Sequence, residues 1–153
     1  MKFSPALFTR LFLSLAAWLC VAEVASAQTP SNDNFVSRSL LTGNSPSTTG
    51  SNVNATAETG EPFTWTGRNS VWWAWTAPSS GTAVIRTFYS TFDTTLAVHR
   101  GTSVSALTTL ASNDDDPITL QSHLEIPVTA AVQYQIQVSS HGGQSGVKNP
   151  DHE

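Results

Sequence analysis

The stretch that decides the fold is residues 70–93, which read S-V-W-W-A-W-T-A-P-S-S-G-T-A-V-I-R-T-F-Y-S-T-F-D. Near its start Trp73 and Trp75 lie two positions apart, and this period of two is typical of a β-strand with one buried face. Pro78 and Gly81 then supply turn residues, and the chain alternates again after them. We therefore expect a β-hairpin over residues 70–93. We expect Trp73 and Trp75 in a hydrophobic core, because large aromatic side chains dominate such cores.

The rest of the chain continues the same pattern of short alternating runs separated by Gly, Pro, Asn and Asp. Further strands are expected over residues 82–88, 93–100, 107–112, 123–128 and 134–138. Residues 35–41 fit either a helical turn or a short strand, and residues 55–59 are expected to form a short strand. No segment sustains the 3.6-residue period of a helix. The sequence thus predicts an all-β fold, an antiparallel jelly-roll-like β-sandwich.

Residues 1–27 have the layout of a secretory signal peptide. Lys2 and Arg10 make a positive start, residues 11–21 are apolar, and the small residues at 25–27 read A-S-A. An apolar run of 11 residues is shorter than the roughly 20 residues that a membrane-spanning helix needs. We therefore expect cleavage after residue 27 and a location outside the cell, at its surface or in the periplasm.

The chain after residue 27 contains no cysteine, so a small exported domain would rely on its core or on a metal for stability. It carries five Lys and Arg against ten Asp and Glu, a net charge of −5. This balance argues against nucleic acid or an anionic membrane as a partner. The length predicts one domain over residues 28–146, followed by a polar tail over residues 147–153.

Seven motifs follow one another along this domain. They are N-D-N-F (32–35), G-x-N-x-x-A-T-x-E-x-G-E-P (50–62), S-V-W-W-A-W-T-A-P-x-S-G (70–81), F-D-T-x-L-A-V (92–98), G-x-S-V-S-A-L (101–107), S-N-D-D (112–115), and Y-x-I-x-V followed by G-G-x-S-G (134–146). In this order they resemble the bacterial pre-peptidase C-terminal (PPC) type domain of secreted and surface proteins. The resemblance implies a jelly-roll-like sandwich that serves as an accessory module without chemistry of its own. Some similar domains bind calcium, and some help to bind polymers such as collagen.

The chain departs from the family pattern in two places. Similar domains carry a His shortly after the E-P pair, where this chain has F-T-W at 63–65. They also continue after the last motif with an alternating apolar strand, whereas residues 147–153 read V-K-N-P-D-H-E. We therefore expect the sandwich to lack its last strand, as a truncated end or as a module completed by a partner strand or by self-association. An unpaired sheet edge favours such association.

An acidic loop is the candidate metal site, because calcium takes six to eight oxygen ligands from carboxylates, amides and carbonyls. The loop lacks the spacing of an EF-hand, so it would need ligands from elsewhere in the chain. The expected ligands are Asp33, Asn34, Asp93, Asn113, Asp114, Asp115 and Asp116. The alternative is a solvated acidic turn whose side chains cap their own backbone.

Trp72 points away from Trp73 and Trp75 in a strand. It either lies under residues 52–67 or stands exposed beside Trp65, as a platform for stacking on sugar rings or gripping a peptide. If Trp72 is exposed, Trp65 and Trp72 are the predicted ligand-binding residues of a domain that binds carbohydrate or a matrix polymer.

No catalytic residues are predicted. The four histidines have no metalloprotease spacing, and the chain after residue 27 has no cysteine nucleophile. His99 and His123 are expected on outer strand faces with ordinary titration. The sequence predicts a non-catalytic, secreted accessory module for binding or structural support, with a calcium-stabilised carbohydrate- or matrix-polymer-binding domain as the alternative.

Overall fold

The computed structural model describes residues 28–62, 69–143 and 146. The expected signal peptide, Trp65 and the tail at residues 147–153 lie outside this part of the chain. Seven strands run through it: β1 (Ser39–Leu41), β2 (Val71–Thr76), β3 (Gly81–Arg86), β4 (Thr94–Arg100), β5 (Thr108–Asn113), β6 (His123–Val128) and β7 (Gln133–Ser140). Its helices are three 3₁₀ turns, Phe35–Ser37, Val104–Ala106 and His141–Gly143. None of the helices in these ranges is long and apolar enough to cross a membrane.

The strands form a five-stranded sheet in the order β1-β2-β7-β4-β5 and a two-stranded sheet of β3 and β6. The prediction of an all-β sandwich is confirmed. Neighbouring strands are antiparallel as expected, except that β1 runs parallel to β2. The ambiguous residues 35–41 supply both expected structures, a 3₁₀ turn followed by β1.

The predicted hairpin over residues 70–93 is wrong, although both of its strands exist. β2 pairs with β7, whereas β3 pairs with β6 in the other sheet. Residues 77–80 therefore carry the chain from one sheet to the other, and Ala77 is fixed by backbone hydrogen bonds with Val132 (3.0 Å) and Ala131 (2.8 Å). This arrangement sets the inward faces of β2 and β3 on opposite sides of the core. Alternation is the same in a hairpin and in such a crossing, so the sequence pattern does not distinguish them.

The main core lies between the two sheets, and Trp73 and Trp75 lie in it as predicted. Each is 8 % exposed. The Trp75 indole N–H also donates to the carbonyl of Gly43 (3.0 Å), which satisfies its one polar group. The other buried members of this cluster are Ala55, Val71, Ala77, Leu96, Val98, Leu124, Ile126, Val128, Tyr134 and Ile136.

A second buried layer covers the opposite face of the five-stranded sheet. Trp72 lies there with no exposed surface, and the ring of Phe35 meets it edge-on at 5.2 Å between centroids. Asn32 accepts the Trp72 backbone N–H (2.9 Å) and returns a side-chain hydrogen bond to the Trp72 carbonyl (3.1 Å). The segment after residue 28 is thus bound over this face of the sheet.

The short strand expected over residues 55–59 is wrong, since these residues form no strand. Their hydrogen bonds go to a loop carbonyl and to side chains instead of to a neighbouring strand. The Thr56 backbone N–H (2.6 Å) and hydroxyl (2.9 Å) both donate to the carboxylate of Asp33. With the hydrogen bond from the Phe35 N–H to Glu58 (2.9 Å), these bonds hold the segment against residues 33–35.

Candidate functional site

An open groove of about 490 Å³ enters the core between the two sheets. One wall is the whole of β3, and the opposite wall contains Leu41 of β1 and residues of the 44–52 loop. Its floor includes the core side chains Val71, Trp73 and Ile136. The groove exists because a two-stranded sheet covers only part of a five-stranded one.

Gly146 contacts three residues that line this groove. Its N–H donates to the Asn52 side-chain oxygen (2.8 Å), and its carbonyl accepts from the Ser51 hydroxyl (3.2 Å) and the Asn52 N–H (3.3 Å). A Cβ at this position would come within 2.6 Å of the Phe92 ring, so the close approach requires glycine. Ser51, Asn52 and Phe92 also line the groove. The groove is not predictable from the sequence, because it is a product of sheet pairing and no local motif marks it.

Trp72 is not a surface platform. Its indole has no exposed surface, so a sugar ring or peptide cannot stack on it, and the prediction of Trp72 as a ligand-binding residue is wrong. The correct alternative is burial beneath the covering segments. Trp65, the other half of the expected platform, lies outside the described residues.

A buried polar network runs from Trp72 across the sheet. Glu61 accepts hydrogen bonds from the Ser70 hydroxyl (2.7 Å), the Trp72 indole N–H (3.3 Å) and the Gln137 side-chain amide (3.2 Å). The Gln137 side-chain oxygen lies 3.2 Å from His99 Nε2. Because that oxygen only accepts, Nε2 carries the imidazole proton.

His99 Nδ1 then accepts from the hydroxyl of Thr109 (3.0 Å), which completes the coordination of a neutral imidazole. Burial lowers the pKa of His99 to about 4, against a smaller opposite effect of the Gln137 hydrogen bond. Burial also raises the pKa of Glu61, while hydrogen bonds from the Glu58 backbone and the Ser70 hydroxyl oppose the rise. His99 lies on the outer strand face as predicted, but the expectation that it titrates ordinarily is wrong because this face is covered.

The structure brings together two of the seven expected metal ligands, and it adds a third residue. Asp93, Asp114 and His141 place one ligand atom each within 4.8 Å of one another. His141 Nδ1 lies 3.2 Å from Asp93 Oδ2. The other oxygen of Asp93 and one oxygen of Asp114 are buried and have no hydrogen-bond partner within residues 28–62, 69–143 and 146. Burial raises the pKa of Asp114, and the charge of His141 opposes the rise.

Strand pairing explains the contact between Asp93 and His141. β4 begins at Thr94 and β7 ends at Ser140, and these two residues are register partners. The residues next to them, Asp93 and His141, are therefore neighbours, and the His141 N–H donates to the Asp93 carbonyl (3.0 Å). His141 is not among the ligands predicted from the sequence, because its role depends on this pairing.

The remaining expected ligands lie in other contacts. Asp33 caps residue 56 and Asn34 is exposed next to the first 3₁₀ turn. Asn113 accepts the His123 N–H (2.9 Å), and Asp115 is exposed.

Asp116 lies 3.1 Å from His123 Nδ1 and accepts the Ile118 N–H (3.3 Å). Most of the acidic loop is therefore a turn whose side chains bond locally.

No family model matches the chain, and neither the curated proteins nor the solved structures contain a match. The resemblance to PPC-type domains stays a prediction from the seven motifs.

Proposed function

We propose that this protein is an exported, non-catalytic accessory module of the PPC type, and that the open groove is its binding surface. The observation that carries the proposal is a groove of about 490 Å³ whose floor is made of core side chains such as Trp73 and Ile136. Concave apolar sites with a few polar groups are the usual ligand sites of proteins. Contiguous apolar surface left open in a soluble domain marks a binding site more often than chance exposure.

Two neighbouring threonines provide a matched test of the groove. Thr48 lines it, whereas Thr49 is exposed outside it. With Nile red as a neutral apolar probe, we expect Thr48→Arg to weaken binding about tenfold, equivalent to about 1.4 kcal/mol. Thr49→Arg should bind the dye like the unchanged protein. Fluorescence titration measures both.

The dye also binds loosely packed states, so each variant needs a cooperative thermal transition before it is compared. Equal dye binding by Thr48→Arg and Thr49→Arg, or no saturable binding by the folded protein, would contradict the groove as an apolar site.

A divalent cation at Asp93, Asp114 and His141 is a second candidate role, favoured by the two buried carboxylate oxygens for which the described part of the chain supplies no partner. Calcium is the cation expected from the sequence. An imidazole in the ligand set suits zinc or another transition metal better, because calcium prefers oxygen ligands. Such a cation would stabilise a domain that has no disulfide.

We expect the cation to raise the melting temperature, because a ligand at a hundredfold excess over its Kd stabilises the folded state by about 2.7 kcal/mol. Asp114→Asn should abolish the rise, and Asp115→Asn, an exposed neighbour outside the cluster, should retain it. Differential scanning calorimetry with EDTA, calcium and zinc in separate runs measures this. Identical melting temperatures in all three solutions would remove this role.

A further inference from the structure

We propose that an extended segment of a separate polypeptide, with apolar side chains at alternate positions, adds as a strand to the free edge of β3 and fills the groove. This inference rests on the proposed function and specifies what the groove binds. It differs from generic apolar binding because it requires backbone hydrogen bonds to β3.

The backbone of β3 offers these hydrogen bonds. Among the described residues β3 pairs only with β6, and in that pairing Thr82 lies opposite Pro127. A proline has no N–H and cannot donate across the ladder, so Thr82 and Pro127 form a non-hydrogen-bonded pair. In such a pair the N–H and carbonyl groups of both residues point away from the partner strand. Pairs alternate along an antiparallel ladder, and therefore Val84 and Arg86 share this orientation.

The continuation of the ladder supports the assignment. The Thr87 N–H donates to the Ser122 carbonyl (3.0 Å), as expected if the odd-numbered residues of this segment bond across to β6. The even-numbered residues of β3 then direct N–H and carbonyl groups toward the groove side. Among the residues that the structure describes, these groups have no backbone partner, and such a row is a template for another strand.

The opposite edge of this sheet is protected. Pro127 directs its nitrogen to the free edge of β6, where it removes a donor, and prolines at edges are a common protection against strand addition. β3 contains no proline, and its one charged residue is Arg86 at the end of the strand. The two-stranded sheet is therefore open to pairing at β3 and blocked at β6.

The floor of the groove defines the side chains of the incoming strand. Ala83 and Ile85 pack inward against the core cluster, and a strand beside β3 would direct every second residue inward with them. Those residues would meet Val71, Trp73 and Leu96 on the groove floor. An apolar residue is required at each such position, because a charge there would lose its hydration without a partner.

The chain's own polar tail does not have this pattern. Residues 147–153 read V-K-N-P-D-H-E, and the alternate set that starts with valine continues with Asn149 and Asp151. The other alternate set contains Lys148, a proline and a histidine. Neither face of such a strand would suit the groove.

A second folded copy of the domain does not fit either. Its own β3 is bonded to β6, so it would bring a whole sheet to a groove bounded by β3 and residues 44–52. Only an extended segment that is free on both edges can enter. A six-residue strand spans about 20 Å, so a peptide of about eight residues is long enough to pair with β3.

The test uses a fluorescein-labelled peptide, Lys-Val-Thr-Val-Thr-Val-Thr-Lys, and fluorescence anisotropy with the whole protein. We expect saturable binding, no binding of the same peptide with its valines replaced by asparagine, and at least a tenfold loss with Val84→Pro. The control Val84→Thr keeps the N–H and should bind normally. Circular dichroism checks that both variants keep the sheet.

A second version of the test leaves the protein unchanged. The peptide methylated on the backbone nitrogens that face β3 keeps its valine side chains but loses its donors, and we expect it not to bind. Equal binding of the methylated peptide, or of Val84→Pro and Val84→Thr, overturns strand addition.

The two proposals fail separately. Dye binding in the groove without peptide binding overturns strand addition and leaves the groove as an apolar site. Loss of both overturns the proposed function as well. Concentration-dependent dimers in sedimentation velocity that the peptide does not dissociate would identify a second copy as the occupant and also overturn the inference.

Discussion

Trp72→Ala lowers the free energy of unfolding by about 4 kcal/mol, within the range measured when a large buried aromatic side chain is truncated. The indole has no exposed surface and packs edge-on against Phe35. Its removal opens a cavity and also leaves Glu61 without one of its hydrogen-bond donors. Urea denaturation followed by tryptophan fluorescence or circular dichroism gives the difference.

Val36→Ala is the control for this substitution. Val36 is 79 % exposed and lies beside Phe35 in the chain, so its truncation should change stability by less than about 0.5 kcal/mol. Trp72→Phe should fall between the two, because it keeps an aromatic ring but not the N–H to Glu61. If Trp72→Ala lowers the free energy of unfolding by less than about 1 kcal/mol, the indole does not contribute as a core residue. That result would support the hypothesis that Trp72 is exposed and binds ligand.

Acidification from pH 7 to pH 4 is expected to remove about 3 kcal/mol of stability through His99 alone, at about 1.4 kcal/mol for each unit of pKa difference. Burial lowers the pKa of His99 in the folded state from 6.5 to about 4. Between about pH 6.5 and pH 4, His99 is therefore protonated in the unfolded chain and neutral in the folded chain. The stability contributed by the neutral imidazole is present above pH 6.5 and is lost as the pH falls toward 4.

The titration of Glu61 changes the free energy of unfolding in the opposite direction. Burial raises its pKa, so the folded state holds its proton to a higher pH than the unfolded state does, and its contribution to stability is lost as the pH rises through the folded pKa. His99→Gln should flatten the loss of stability between pH 6.5 and 4, whereas Glu61→Gln should leave that loss in place or steepen it. Urea midpoints measured at half-unit pH intervals test both variants. An unchanged pH profile in His99→Gln would show that another group carries the acid sensitivity.

The strands were predictable from the sequence because each depends on local alternation. The positions of β2, β3, β4, β6 and β7 all follow the period-two pattern, and the inward orientation of Trp73 is a direct consequence of it. Strand pairing was not predictable in the same way. A turn at Pro78 has the same local chemistry whether the next strand returns to the same sheet or crosses to the other one.

The candidate sites depend on pairing, and this is why they were only partly predicted. Asp93 and Asp114 carry the oxygen chemistry that calcium prefers, so composition identified them, but His141 joins them through the contact of β4 with β7. One feature of the sequence does indicate that Trp72 is buried. The outward face of β2 carries Trp72 and Ala74, and an apolar outward face indicates a second cover. His99 and Gln137 on neighbouring strands look like solvent-facing residues until that cover is known.

The crossing at residues 77–80 also governs how the chain reaches its native state. A tight hairpin would let β2 and β3 form early from local contacts, but Val71 has its partner at Val138 and Gly81 has its partner at Val128. Most of the strand pairs therefore join distant parts of the chain. Such topologies fold in milliseconds to seconds, because the entropic cost of closing long loops comes before the stabilising contacts form. β2 cannot find β7 until nearly the whole domain has been synthesised. A nascent chain would stay unfolded for that interval, and an unfolded polypeptide is the form that can pass through a narrow translocation pore.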